Sequence, residues 1–175
     1  MAPHALLHKQ APTDITVKNQ HDQDINISDF IGKSTVILFF YPKDNTYVCS
    51  KEACAFRDNF EEIQKLGVEV VGVSADGVKS HEQFAIKQKL PYTLLADTEG
   101  QLRTAFQVPK LLFGFPQRTT YIIDNDGEIQ HIFESFFSYS YHINNVMKVL
   151  QKESAAAAAA EDDDEEENES VTEQE

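Results

Sequence analysis

The chain has 175 residues, of which 29 are acidic and 15 basic, a formal net charge of −14, with 41% hydrophobic residues and two cysteines. At this length one globular domain is expected, and two cysteines exclude a disulfide-stapled secreted scaffold and a four-cysteine zinc site.

Along the chain, Ile15–Val17 and Ile25–Ile27 read as a leading strand pair. Thr35–Tyr41 is a continuous, apolar, partly β-branched run, as expected of a strand buried on both faces of a mostly parallel sheet. Pro42 ends it. From Ser50 to Leu66 the apolar spacing becomes helical, with Phe56, Phe60, Ile63 and Leu66 in one stripe, which puts Cys49 in the first turn of a helix. Val68–Val73 has the near-continuous apolar character of an interior strand. Ser80 is predicted to cap a helix running to Lys89, with Phe84 facing inward. Thr93–Leu95 predicts a short strand and Glu99–Phe106 a short helix. Thr119–Ile123 and Ile129–Phe133 predict an antiparallel pair joined at the Asn125-Asp126-Gly127 turn, and a last helix spans about Tyr139 to Lys152. Strands alternating with helices, then a hairpin, predict an α/β fold with a central mixed β-sheet flanked by helices. The Phe-rich segments Leu111–Phe115 and Phe133–Phe137 suit either core or contact surface.

Cys49 sits where a strand gives way to a helix. A helix N-terminus exposes unpaired N–H groups and a partial positive charge, both favouring an anion over its neutral acid, and the thiolate is the reactive form of cysteine. Thr46, three residues earlier, brings a hydroxyl able to donate to the sulfur or accept from it. Taken alone, these residues fit equally an inert buried thiol and a simple N-cap. Cys54 follows five positions later, which is not a C-x-x-C pair. On an unbroken helix, Cα atoms five residues apart are about 8.5 Å apart, beyond the roughly 7 Å that a disulfide tolerates. A bond between the two sulfurs therefore requires the helix start to unwind, coupling oxidation state to conformation.

At Pro42, Thr46 and Cys49 the chain resembles the peroxiredoxins, whose pattern is Pro-x-x-x-Thr-x-x-Cys. The wider string Phe-Tyr-Pro-Lys-Asp-Asn-Thr-x-x-Cys-x-Lys-Glu-Ala-Cys is similar to the bacterioferritin-comigratory, or Q-type, subgroup. So are Gly72–Asp76, Tyr92–Asp97 and Arg118–Asp124, and the likeness covers about residues 5 to 152. The resemblance implies a thioredoxin-like fold and a thiol peroxidase acting on hydrogen peroxide and organic hydroperoxides. It makes Cys49 the peroxidatic cysteine and Cys54 the resolving one, joined in an intramolecular disulfide. Thr46 and Arg118 would complete the site, with Pro42 shielding it and Glu52 orienting the arginine. Arg118 by itself reads as an exposed arginine at a strand start, and only the resemblance singles it out. The subgroup has Pro-Gly before the first cysteine and Thr after it, whereas this chain has Tyr47, Val48 and Ser50.

The sulfenic acid expected at Cys49 condenses with a neighbouring thiol, and the disulfide is then reduced externally, which implies a partner of thioredoxin or glutaredoxin type. No cofactor is implied, and the six histidines lack metal-ligand spacing and read as surface or core residues. A protein disulfide oxidoreductase without peroxidase activity is the alternative within redox chemistry, disfavoured by the cysteine spacing. A redox-insensitive adaptor using an acidic tail is the alternative among binding proteins. Residues 1–153 form the expected folded domain and 154–175 a tail of six alanines followed by ten acidic residues from Glu161 onward, expected to be disordered. Without those ten, 19 acidic residues face 15 basic ones, so the folded part is ordinary in charge. The N-terminus lacks the basic segment and apolar core of a signal peptide, and no run approaches the ~20 apolar residues that span a membrane. A cytoplasmic monomer without nucleic-acid or membrane partners is expected.

Overall fold

The computed structural model describes residues 2–172. Seven strands form one mixed sheet in the order β2-β1-β5-β4-β3-β6-β7: β1 (Thr16–Asn19), β2 (Asp24–Asn26), β3 (Val36–Phe40), β4 (Glu69–Ser74), β5 (Thr93–Ala96), β6 (Thr119–Ile123) and β7 (Ile129–Glu134). Helices α1 (Tyr47–Asp58), α2 (Phe60–Lys65), α3 (Val78–Gln88), α4 (Gln101–Ala105) and α5 (Tyr139–Thr172) complete it. β3 pairs in parallel with β4 and β4 with β5, while β6 lies antiparallel to β3 and to β7. The expected α/β fold and its central strand are found.

Every residue of β3 is buried, because successive side chains point to opposite, covered faces. Ile37, Phe39 and Tyr41 enter one core with Cys49, Ala53 and Phe56 of α1 and Val146 of α5. Val36, Leu38 and Phe40 enter the other with Leu102, Phe106 and Tyr121. Phe39 stacks on Phe56 with ring centroids 4.5 Å apart. A Cβ at Gly72 would stand 2.9 Å from Phe39 Cζ and 2.8 Å from Leu94 Cδ2, so only glycine leaves room for that ring. The stack seats α1 on the sheet and thereby fixes the height of Cys49.

Four local features differ from expectation. The predicted helix over 50–66 is two helices, broken at Asn59 (φ −100°, ψ 2°), whose side-chain amide donates to Ala55 O alongside its own backbone N–H. Leu66, placed in the apolar stripe, is the exposed C-cap of α2. Ser80 does not cap α3, which starts after Gly77; its hydroxyl donates to Asp44 Oδ2 at 2.7 Å. The last helix, predicted over about Tyr139 to Lys152, continues through the six alanines, which have the highest intrinsic helix propensity, and is helical to Thr172. The remainder of the expected tail, 173–175, lies outside the described residues. Of the Phe-rich segments, Leu112, Phe113, Phe115 and Phe137 are exposed, which makes these positions surface rather than core.

The loop between β3 and α1 is anchored by Asp44, which is buried. Its carboxylate accepts from Tyr41 Oη (2.6 Å), Ser80 Oγ (2.7 Å) and His81 Nδ1 (2.8 Å), and its N–H donates to Asp76 Oδ2 (2.8 Å). His81 Nε2 faces Leu95 O at 3.0 Å and donates to it. Asp44→Ala strands three donors in a dry site, which costs about 3–5 kcal/mol. Urea unfolding is expected to show a lowered midpoint with an unchanged slope, and a midpoint equal to wild type would remove Asp44 as the anchor.

Candidate active site

Cys49 is the third residue of α1, whose N-cap is Thr46. The first intrahelical bond runs from Ser50 N to Thr46 O at 2.9 Å. Thr46 makes no side-chain cap, so the N–H groups of the first turn keep their capacity for an anion. Its exposed hydroxyl donates to Lys43 O at 3.0 Å rather than to the sulfur. Cys49 itself is buried.

Arg118, immediately before β6, comes to Cys49 across the β3–β6 pair. Far from the exposed arginine that composition suggests, it is 2% exposed. Nη2 donates to Cys49 Sγ at 3.4 Å, Nη1 to the Glu52 carboxylate, and Nε to Phe136 O at 3.3 Å. Three donors of one rigid plane are thus fixed, two on α1 and one on the segment after β7. Glu52 is three residues after Cys49 on α1, so the two share a helix face and both address the guanidinium. Burial disfavours a charge on Arg118, but the neighbouring Glu52 and Cys49 outweigh it and hold its pKa above the ordinary value.

One cation thus serves two acidic groups, and the second is held back. Burial pushes the Glu52 carboxyl up to about 7, against the pull of Arg118. Its Oε1 has no hydrogen-bond partner among the described residues and lies 3.9 Å from His142 Nδ1. That approach is not an ion pair. His142 Nε2 faces Ser135 O at 2.9 Å and must donate to it, so Nδ1 accepts from the Thr120 hydroxyl at 2.9 Å and the ring is neutral. Burial, countered by the Ser135 bond and reinforced by Arg118, lowers the His142 pKa to about 4.

These shifts give a signed pH dependence. A carboxyl raised from 4.5 to about 7 contributes its stability fully below pH 4.5 and loses it as pH rises through about 7. His142 works oppositely, its contribution being present above 6.5 and lost as pH falls through about 4. Comparison with Glu52→Gln isolates the first effect: between pH 5 and 8 the wild-type melting temperature is expected to fall relative to that of the variant, and parallel profiles would refute it.

Cys54 lies further along the same helix, partly buried, its Sγ donating to Gln88 Oε1 at 3.2 Å. Both cysteines are free thiols on continuous helix, so the geometric bar to direct bonding stands as the sequence requires. Pro42 is half-buried and lines a cavity of about 540 Å³ with Arg103, Lys110 and Pro116. The structure therefore brings Cys49, Glu52 and Arg118 together, sets Thr46 beside them with its hydroxyl on Lys43 O, and places Cys54 on another face. His142, Thr120 and the Asp44 cluster were missed by sequence reasoning, because contacts that define them, such as Asp44 with Ser80 and His81 and Thr120 with His142, join residues 22 to 37 positions apart.

A sulfur at a helix start, in contact with a buried guanidinium on a mixed sheet, defines a thiol oxidoreductase of thioredoxin-like fold. Residues 7–132 match the AhpC/TSA family. Peroxiredoxin Q, chloroplastic, from Populus jackii is 45% identical over 143 residues, covering 81% of this chain and 67% of that one. Among solved structures, peroxidoxin BcpB from Mycobacterium tuberculosis aligns with a TM-score of 0.77 and 31% identity, over 85% of this chain and 98% of its own. A Xanthomonas campestris peroxiredoxin Q aligns with a TM-score of 0.72 and 26% identity, over 79% and 90%. The chain belongs to the AhpC/TSA family, as a peroxiredoxin of the Q type, and is a peroxidase of the oxidoreductase class.

Proposed function

We propose that the protein reduces hydrogen peroxide and organic hydroperoxides through a sulfenic acid at Cys49 and an intramolecular Cys49–Cys54 disulfide, which a thioredoxin- or glutaredoxin-type dithiol then reduces. The observation that carries this reading is the 3.4 Å contact between Arg118 Nη2 and Cys49 Sγ at the first turn of α1. The ionised sulfur attacks one peroxide oxygen and the O–O bond breaks. The departing hydroxide or alkoxide takes up a proton, leaving Cys49–SOH. Arg118 and the first-turn N–H groups stabilise the charge moving along the S···O–O axis. Thr46 turns its hydroxyl from Lys43 O to the entering peroxide, Pro42 shields the pocket, and Glu52 holds the guanidinium in plane.

Cys54 then attacks the Cys49 sulfur. The S–O bond breaks, water leaves with the Cys54 proton, and the start of α1 unwinds to let the sulfurs meet. Both cysteines belong to one helix, which supports a monomer as the working unit, and a cycle needing a supplied reductant suits the cytoplasm. Intact-mass measurement after one equivalent of peroxide tests the cycle. The wild type is expected to lose two hydrogens as an intramolecular bond, and Cys54→Ser to gain one oxygen as a sulfenic acid at Cys49. A disulfide-linked dimer in the wild type would refute it.

A further inference from the structure

Cys54 is held by something other than packing. A cavity of about 520 Å³, lined among others by Ser50, Lys51, Cys54, Arg57, Gln88 and Tyr139, opens beside it. The sulfur therefore has room to move toward the first turn of α1. Its single polar contact is the S–H···Oε1 bond to Gln88, the last residue of α3. Arg57 Nη1 donates to the Gln88 backbone carbonyl at 2.6 Å, so a second bond fixes the end of α3 against α1 without using the Gln88 side chain.

We propose that Gln88 is a positioning residue for the resolving step, an amide catch that holds the Cys54 thiol turned toward α3 until α1 unwinds. The proposal rests on Cys54 being the resolving cysteine. In the step it controls, Cys54 Sγ gives up its hydrogen bond to Gln88 and attacks the sulfur of Cys49–SOH, and the S–O bond breaks with release of water. The amide oxygen accepts from the thiol but has nothing to donate to a thiolate. Keeping the catch closed therefore slows disulfide formation and lengthens the life of the sulfenic acid, which further peroxide converts to sulfinic acid.

The test is quenched-flow intact mass of the full chain after peroxide, following disulfide and sulfinic acid at Cys49 in wild type, Gln88→Ala, Gln88→Glu and Cys54→Ser. Gln88→Ala removes the acceptor and is expected to speed disulfide formation about threefold to tenfold, the worth of one hydrogen bond, with less sulfinic acid. Gln88→Glu keeps an acceptor and adds a charge that opposes the thiolate, so it shifts both quantities the other way. Both variants retain the backbone carbonyl that Arg57 uses, and a purely structural role would move both in one direction. Equal rates in all three proteins with an intact 49–54 bond overturn the catch and leave the cycle standing. Absence of that bond in the wild type, with Cys54→Ser indistinguishable from it, overturns the cycle and the catch together.

Discussion

Cys49→Ser is expected to lose peroxide consumption altogether, with a rate lower by on the order of 10⁴-fold or more, as when an enzyme loses its nucleophile. A serine hydroxyl fits the same buried position but stays protonated, and no base stands beside it: the neighbouring groups are a guanidinium and a carboxyl already engaged with it. The fold should be unaffected, because the sulfur's packing contacts are with α1's own core partners. Turnover with a thioredoxin system measures the outcome, and a variant retaining even a tenth of wild-type activity would remove Cys49 from its assigned role.

Arg118→Met is the second large effect. Methionine approximates the length of the side chain while deleting the donors to Cys49, Glu52 and Phe136 at once. Losing one preorganised donor to a developing anion typically costs 10²–10³ in rate, so a fall of at least about that size is expected in the second-order reaction with peroxide. Glu52 is then buried without its counter-charge and should remain protonated across neutral pH. Arg118→Lys is expected to recover only part of the loss, since one ammonium cannot span the three partners that the planar fork reaches. Competition kinetics against a reference peroxidase measures both variants, and a lysine variant equal to wild type would show that charge alone suffices.

What could be read before the structure follows from which interactions are local. Thr35–Tyr41 announces β3 because a strand covered on both faces needs an unbroken apolar run, and Pro42 marks its end. Cys49 is legible for the same reason, sitting at a change of periodicity. Arg118 is not. Nothing around Gln117-Arg118-Thr119 signals burial, because the ion pair that makes burial tolerable comes from Glu52, 66 positions away. Only resemblance to a family marks it. Asp44, His81 and His142 are hidden likewise, each being a polar residue whose partners lie on other elements. Ser80 misleads because a serine near a helix start is usually a cap, whereas here Gly77 occupies that position and the hydroxyl serves Asp44. The break at Asn59 is invisible to apolar spacing, since Phe56, Phe60 and Ile63 keep the stripe through it.

Placing both sulfurs on a single rod has a consequence for how the molecule meets its two kinds of visitor. Under the proposed cycle the wound rod accepts oxidant and offers a disulfide reductant no bond to break, while the unwound rod would offer that bond and dismantle the cradle for oxidant. The two traffics would then be separated in time by the shape of one segment, so that neither visitor competes with the other for an occupied berth.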